Sequence, residues 1–333
     1  MKFKTTAEIA VPERLIDQII GQDKAVDIVK KAARQKRNVL LIGPPGTGKS
    51  MMAQAMAELM QREELEDVLV YPNPSNENQP LVRVVKSYPE MEYLKKNADL
   101  MRFYSPKELD AIKKAYESKD PKAKTDLAKK LRSSLGRRIV SYQKPKEEQK
   151  GPSTLLIIGL AGILLLAIAV STELSQDMKM LATVSILGLG FLFVVSNATS
   201  GLGKRLMITE QTGPKLIVDN SEKSTAPFLD ATGSRSGSLL GDIKHDPLQS
   251  GGLGTPPHLR VEAGAIHQAN KGVLFIDEIA SMKLNWQQEI LTAMQEKKYP
   301  ITGKSEMSSG AVVKTQPVPT DFVLVAAGNM PDM

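Results

Sequence analysis

Between Gly43 and Ser50 the chain reads GPPGTGKS, a glycine-rich bend that ends in a lysine and a hydroxyl. The preceding Val39–Ile42 is a short apolar run, and the following MMAQAMAELM consists of good helix formers. Strand, glycine loop, helix is the context in which G-x-x-x-x-G-K-[ST] cradles a phosphate chain. Glycines let backbone N–H groups converge on an anion, and the new helix aims its unpaired N–H groups and positive end at the same place. Gly43, Pro44, Pro45, Gly46, Thr47, Gly48, Lys49, Ser50 and Met51 are therefore expected to hold a nucleoside triphosphate. Lys49 would reach its β- and γ-phosphates, and Ser50 would give its hydroxyl to Mg2+.

A second pattern lies more than two hundred residues downstream. Val273–Ile276 (VLFI) is a continuous apolar run of the kind buried in parallel sheets, and it delivers Asp277-Glu278 at its carboxyl end. Open α/β sheets bind their ligands at that end. Asp277 can hold Mg2+ through its water shell, and Glu278 can orient and deprotonate an attacking water. Asp321–Ala327 (DFVLVAA) is another buried-strand candidate and runs into Gly328-Asn329. An amide there is placed to sense a γ-phosphate or to position water. His245, His258 and His267 are irregularly spaced and lack carboxylate or cysteine partners in a ligand pattern, so no metal site is expected from them.

Composition narrows the class. The chain has 333 residues, 41% of them hydrophobic, enough for one to three domains with a real core. It has no cysteine, which excludes disulfides and thiolate metal sites. The net charge of +7 is concentrated: Lys95–Lys150 holds 17 Lys/Arg against 8 Asp/Glu, so the rest is slightly acidic. With one tryptophan and 5% aromatics there are few stacking platforms, and no nucleic-acid partner is expected. Met1–Ala10 lacks the apolar core of a signal peptide.

The elements that must position these residues follow from periodicity and punctuation. Asp23 is a candidate N-cap for a helix burying Ala25, Val26, Ile28, Val29 and Ala32. Val68–Tyr71 and Leu81–Lys86 are strand candidates around the turn cluster PNPSN. Ser105-Pro106 with Glu108 predicts a capped helix start. From there a basic helical stretch runs towards Arg138, either as a solvated charged face or against lipid. Ile208–Asp219 reads as a strand pair broken at Gly213-Pro214, and Phe228–Gly233 as strand into turn. Ser234–Leu259, rich in glycine, serine and proline, reads as a long functional loop or a disordered segment. Val261–Ala269 reads as a helix, Ile290, Leu291 and Met294 mark another, and a polar hairpin is expected around Gly303 and Gly310.

Between the two chemical patterns stand two uncharged apolar runs. Thr154–Val170 spans seventeen residues and Met180–Val195 sixteen, separated by the polar link STELSQDMK. Apolar on all sides and nearly long enough to cross a bilayer, they are expected to form a transmembrane hairpin spanning about 153–171 and 179–197. Lys144, Lys146 and Lys150 precede it and Lys204 and Arg205 follow, so both ends are expected on the cytoplasmic side of a cell membrane, in contact with lipid.

Taken together, Gly43–Ser50, Asp277-Glu278 and Asn329 resemble the AAA+ ATPase pattern, in which Ile20 and Gly21 of I-I-G-Q would cradle adenine. VEAGAIHQANKGVLFIDEI is similar to the branch that includes magnesium chelatases, MCM helicases and archaeal Lon proteases. With the membrane hairpin, IIGQDKAVDIVKKAARQKRNVLLIGPPGTGKS, HDPLQSGGLGTPPHLRVEAGAIHQANKGVLFIDEI and VLVAAGNMPDM resemble the membrane-anchored archaeal Lon proteases. That resemblance implies an α/β P-loop fold: a parallel sheet flanked by helices and interrupted by the hairpin. Residues 1–104 and 199–333 would form the ATPase domain, 105–150 a basic juxtamembrane insert and 151–198 the hairpin. It further implies ATP and Mg2+ as cofactors and a hexameric ring acting on unfolded protein. Lys49, Glu278 and Asn329 would be its catalytic residues, and Lys244–Thr255, with Leu248 at its tip, its pore loop. The family's arginine finger, lid and Ser-Lys peptidase domain would lie beyond Met333, which predicts a fragment of a longer product. A membrane-tethered remodelling or chelatase-like ATPase without peptidase is the alternative, and an MCM-type motor a more distant one.

Overall fold

Val39–Ile42 does form a strand, and it lies at the edge of a four-stranded parallel sheet. The computed structural model describes residues 11–60, 65–118, 133–143, 213–221, 225–244, 255–303 and 312–329, with 127, 131, 175, 177, 180, 184 and 223 described singly. The chain divides into two compact units, Met1–Gln143 with Gly213–Met333, and Lys144–Thr212. In the first unit the strands of three or more residues are β1 (Val39–Ile42), β2 (Glu66–Tyr71), β3 (Leu81–Lys86), β4 (Lys215–Val218), β5 (Phe228–Asp230), β6 (Val273–Ile276) and β7 (Val323–Gly328).

The parallel sheet runs in the order β1-β7-β6-β5. Every residue of β6 is buried, as its unbroken VLFI run predicts. Helix α1 (Asp23–Gln35) and helix α2 (Lys49–Leu59) pack on one face, where Val26, Val29, Met52 and Met56 meet Phe275 and Val325. Helix α1 starts one residue earlier in function than expected: Gln22 is its N-cap, and Asp23 is its first helical residue. Ile28, expected inside, is 60% exposed. The reason is the sheet edge, for Leu40 and Ile42 on the neighbouring β1 are about half exposed too.

The second sheet is antiparallel, ordered β3-β2-β4. On it rests a core built from helix α3 (Pro106–Glu117) and helix α4 (Leu135–Gln143), with Leu94, Leu100, Ile112, Leu135 and Ile139 all buried. The capping box at Ser105 and Glu108 is formed as its sequence predicts. Arg138 binds Glu108 at 2.8 Å and lies over the Tyr104 ring, so the basic stretch up to Gln143 has an internal face of its own.

Asp67 holds this layer together. Fully buried on β2, it accepts from Ser87 Oγ at 2.7 Å, the Gly136 N–H at 2.9 Å and the Asn220 N–H at 3.1 Å. Burial pushes its carboxyl above the usual range, and these hydrogen bonds together with one from Ser134 pull the other way. A Cβ at Gly136 would stand 2.7 Å from the Asp67 side chain, so only glycine fits. Arg137 adds an ion pair to Asp219 at 2.5 Å. The chain's exit at α4 and its return at β4 are thus tied to one carboxylate. Asp67→Ala would orphan several buried donors and is expected to destabilise the protein by about 2–4 kcal/mol, read from the urea midpoint.

Two expectations need correction. Val261–Ala269 is not one helix: Val261–Glu262 pairs as a short strand with Asp242–Ile243, and only Ala265–Gln268 is helical, with extended Gly264 as its N-cap. Ser234–Leu259 is not all loop either. Ser236–Leu240 is a short helix that buries Leu239 and Leu240, and Pro257–Arg260 is another that buries His258 and Arg260. The arms of the expected polar hairpin pair, with Lys298–Tyr299 antiparallel to Val318–Pro319 and a bridge between Thr302 and Lys314, while Gly310 lies outside the described residues. Of the strand pair expected over Ile208–Asp219, β4 is the described part.

His258 and His267 each serve a backbone carbonyl, of Gly213 and Tyr299 respectively. Burial lowers the His267 pKa to about 4. An unfolded histidine near 6.5 binds a proton that the folded one refuses. Its stabilising contribution is therefore complete above about pH 6.5 and drains away, by up to ~3 kcal/mol, as pH falls towards 4. His267→Gln is expected to flatten that part of the stability profile measured by denaturation between pH 7 and 4.

Among the described residues no helix is long and apolar enough to cross a membrane. The expected spans lie outside the described residues apart from Met180 and Val184, and so does the expected pore loop between Lys244 and Thr255.

Candidate nucleotide site

The parallel sheet brings three strand tips to one edge. Ile42 at the end of β1 is in register with Gly328 at the end of β7, and Ala326 of β7 with Ile276 at the end of β6. Asp277 and Glu278 follow directly from the Ile276 end of β6. At about 4.8 Å per strand, the phosphate loop and the acidic tip are separated by only two strand spacings, roughly 10 Å. The loop and the middle strand are bonded directly, with the Gly43 N–H donating to the Gly328 carbonyl at 3.2 Å.

Lys49 shows why the loop folds this way. Only 9% exposed, it opens α2 and folds its ammonium back over the bend. Nζ donates to Gly43 O at 2.7 Å, Pro44 O at 3.3 Å and Asn329 Oδ1 at 3.3 Å. Lysine and asparagine, 280 residues apart in the chain, are thus in contact. Thr47 Oγ1 closes the bend by donating to Pro44 O at 2.9 Å. Gly46 and Gly48 both have φ of 81°, a left-handed backbone that favours glycine, and a Cβ on either would meet nothing within 4 Å. Ser50, at the start of α2, is exposed beside the loop. This donor set fits a triphosphate and its cation: a helix N-terminus, an ammonium, a hydroxyl and, two strand tips away, a carboxylate.

A cavity of ≈ 330 Å³ extends along β1 from the loop, lined by Gln22, Ile28, Leu40, Ile42, Thr47 and Lys49 among others. Ile20 and Gly21 immediately precede Gln22, but they are not in its lining, and Ile20 is 92% exposed. Met51 is 39% exposed on the first turn of α2.

At the acidic tip, Glu278 has φ of 51° and its N–H donates to Asp277 Oδ1 at 2.9 Å. The Asp277 N–H donates to Thr232 Oγ1, also at 2.9 Å, from the turn that follows β5. Sequence reasoning did not single out Thr232. The available signal was its place one turn beyond a strand, at the same sheet edge as the other tips.

The comparisons with known proteins fall on these same segments. The family description of magnesium chelatase, subunit ChlI, matches residues 15–79, which carry the phosphate loop. That of the sigma-54 interaction domain matches residues 258–326, which carry Asp277 and Glu278. The archaeal Lon protease of Thermococcus kodakarensis is 48% identical over 98% of this chain, and that of Archaeoglobus fulgidus is 46% identical over 99%. Over nearly its whole length the chain is homologous to archaeal Lon proteases. It spans 43% and 44% of the length of those two relatives, less than half of either. That homology agrees with the α/β parallel sheet and with this chain being an ATPase part. Among solved structures, the magnesium chelatase BchI–BchD complex overlaps 35% of this chain at 22% identity, with a TM-score of 0.25.

Proposed function

We propose that this chain binds ATP with Mg2+ at the carboxyl edge of the parallel sheet and hydrolyses it to drive protein unfolding and translocation for an attached protease. The observation that carries the reading is the Lys49–Asn329 contact, in a sheet whose register puts Asp277 and Glu278 two strands away. Gly43, Pro44, Pro45, Gly46, Thr47, Gly48, Lys49, Ser50 and Met51 wrap the triphosphate. Ser50 and, through water, Asp277 hold Mg2+, which supplies charge neutralisation when bound. Glu278 is placed to draw a proton from water, and Asn329 to report whether a γ-phosphate is present by exchanging its contact with Lys49. Ile20 and Gly21 would close over adenine by moving from their exposed position. Binding of ATP with and without Mg2+, measured by calorimetry, tests the core of this: tight, Mg2+-strengthened binding supports it, and no binding rejects it.

The wider assignment rests on the sequence resemblance and on the two uncharged apolar runs. Residues 1–104 and 199–333 form the ATPase domain, with 105–150 as a basic juxtamembrane insert. Residues 151–198 anchor it as a two-span hairpin in the cell membrane, contacting lipid, with the ATPase on the cytoplasmic side. Helical Met180 and Val184, 71% and 62% exposed, support that anchor. Six copies form a ring, Lys244–Thr255 lines its pore with Leu248 leading, and unfolded protein is the substrate. Nucleic acid is not. The magnesium chelatase match over residues 15–79 favours a second reading, a membrane-tethered remodeller without peptidase. ATP-dependent casein cleavage by the parent polypeptide separates the two.

A further inference from the structure

The acidic tip is held by more bonds than a strand end requires. From the β5 side, Thr232 Oγ1 accepts the Asp277 N–H at 2.9 Å, and Thr232 is itself fixed by donating its N–H to Asp230 Oδ1 at 2.9 Å. From the far side, Ser281 donates both its N–H and its hydroxyl to the Glu278 carbonyl, each at 2.8 Å. Between them Glu278 is kept in a left-handed conformation, φ of 51°, which a non-glycine residue leaves when nothing opposes it. Asp277 Oδ1 is spent on the Glu278 N–H.

We propose that Thr232 and Ser281 form a clamp that positions the Asp277-Glu278 pair, leaving Asp277 Oδ2 as the oxygen presented to the water shell of a divalent cation. The clamp rests on the reading of Asp277 and Glu278 given above. Thr232 and Ser281 are positioning residues. Thr232 sits in an exposed turn, so its hydroxyl is not there to fill a core, and the bond it accepts comes from the backbone of Asp277 itself. An unclamped tip relaxes towards an ordinary extended strand end, swinging Oδ2 away.

Thr232→Val keeps the shape and removes the acceptor, and Thr232→Ser restores it. Two readouts apply to the chain itself, hydrogen exchange at the Asp277 amide and the factor by which Mg2+ tightens ATP binding. The clamp predicts that Thr232→Val speeds exchange at Asp277 by about tenfold, the scale of one lost hydrogen bond. It also predicts that the Mg2+ factor shrinks several-fold while Mg2+-free ATP affinity, set by Gly43–Ser50, stays put. Thr232→Ser should return both to wild type, and Ser281→Ala should shrink the Mg2+ factor as Thr232→Val does. Wild-type exchange and a wild-type Mg2+ factor in Thr232→Val would overturn the proposal, and so would failure of the serine to rescue. Lys49→Ala and Asp277→Asn run alongside: unchanged ATP binding in Lys49→Ala rejects the site itself, whereas a silent Thr232→Val beside responsive controls rejects only the clamp.

Discussion

Lys49→Ala is expected to weaken ATP binding by about 100-fold or more, with turnover lost at any ordinary nucleotide concentration. A hydrogen bond to a charged group contributes ~1.5–3 kcal/mol, and Lys49 would give such bonds to both the β- and γ-phosphates. In the structure its ammonium already lies among Gly43 O, Pro44 O and Asn329 Oδ1, within the bend that would receive the phosphates. Calorimetric titration with ATP reads the loss, and circular dichroism shows whether the fold is kept. Lys49→Arg would not rescue well, because a planar fork cannot occupy the space of an ammonium between two carbonyls. Retention of wild-type affinity in Lys49→Ala would remove the phosphate loop from the account.

Glu278→Gln has the opposite profile. Loss of a positioned general base lowers the chemical step by roughly 10²–10⁴-fold, while nucleotide affinity stays within about threefold of wild type. The amide keeps the side chain's size, and the backbone bonds that fix residue 278, from its own N–H to Asp277 Oδ1 and from Ser281 to its carbonyl, do not involve the carboxyl. Single-turnover phosphate release with protein in excess over ATP isolates the step. A variant that binds and hydrolyses normally would move the base elsewhere, and one that cannot bind would make Glu278 part of the nucleotide's grip instead.

The candidate site was legible in the sequence because each of its parts is local. A glycine loop between a strand and a helix, and an apolar run ending in Asp-Glu, are patterns written within a dozen neighbouring positions. Strand β3 matches its LVRVVK run residue for residue, and the capping box at Ser105 follows from its own four residues. What could not be read is what depends on partners far away in the chain. Asp67 was not singled out, yet it joins Ser87, Gly136 and Asn220. Thr232 carried no pattern, and its role comes from a strand tip 45 residues on. Helical periodicity put Ile28 on the buried face of α1, but periodicity says which residues share a face and not whether anything covers it. There β1 is the last strand of the described sheet, and the face stays open. In Ser234–Leu259 the glycines and serines masked Leu239 and Leu240, which a five-residue helix packs with Ile266, Leu274 and Ile276.

A crystal structure of the chain with Mg2+ and a non-hydrolysable ATP analogue tests the central claim most directly. The account predicts a triphosphate wrapped by Gly43–Ser50, its γ-phosphate in contact with Lys49 and Asn329, and the cation on Ser50 with Asp277 one water away. A nucleotide bound anywhere but the β1, β7 and β6 tips, or a cation that ignores both Ser50 and Asp277, would contradict it.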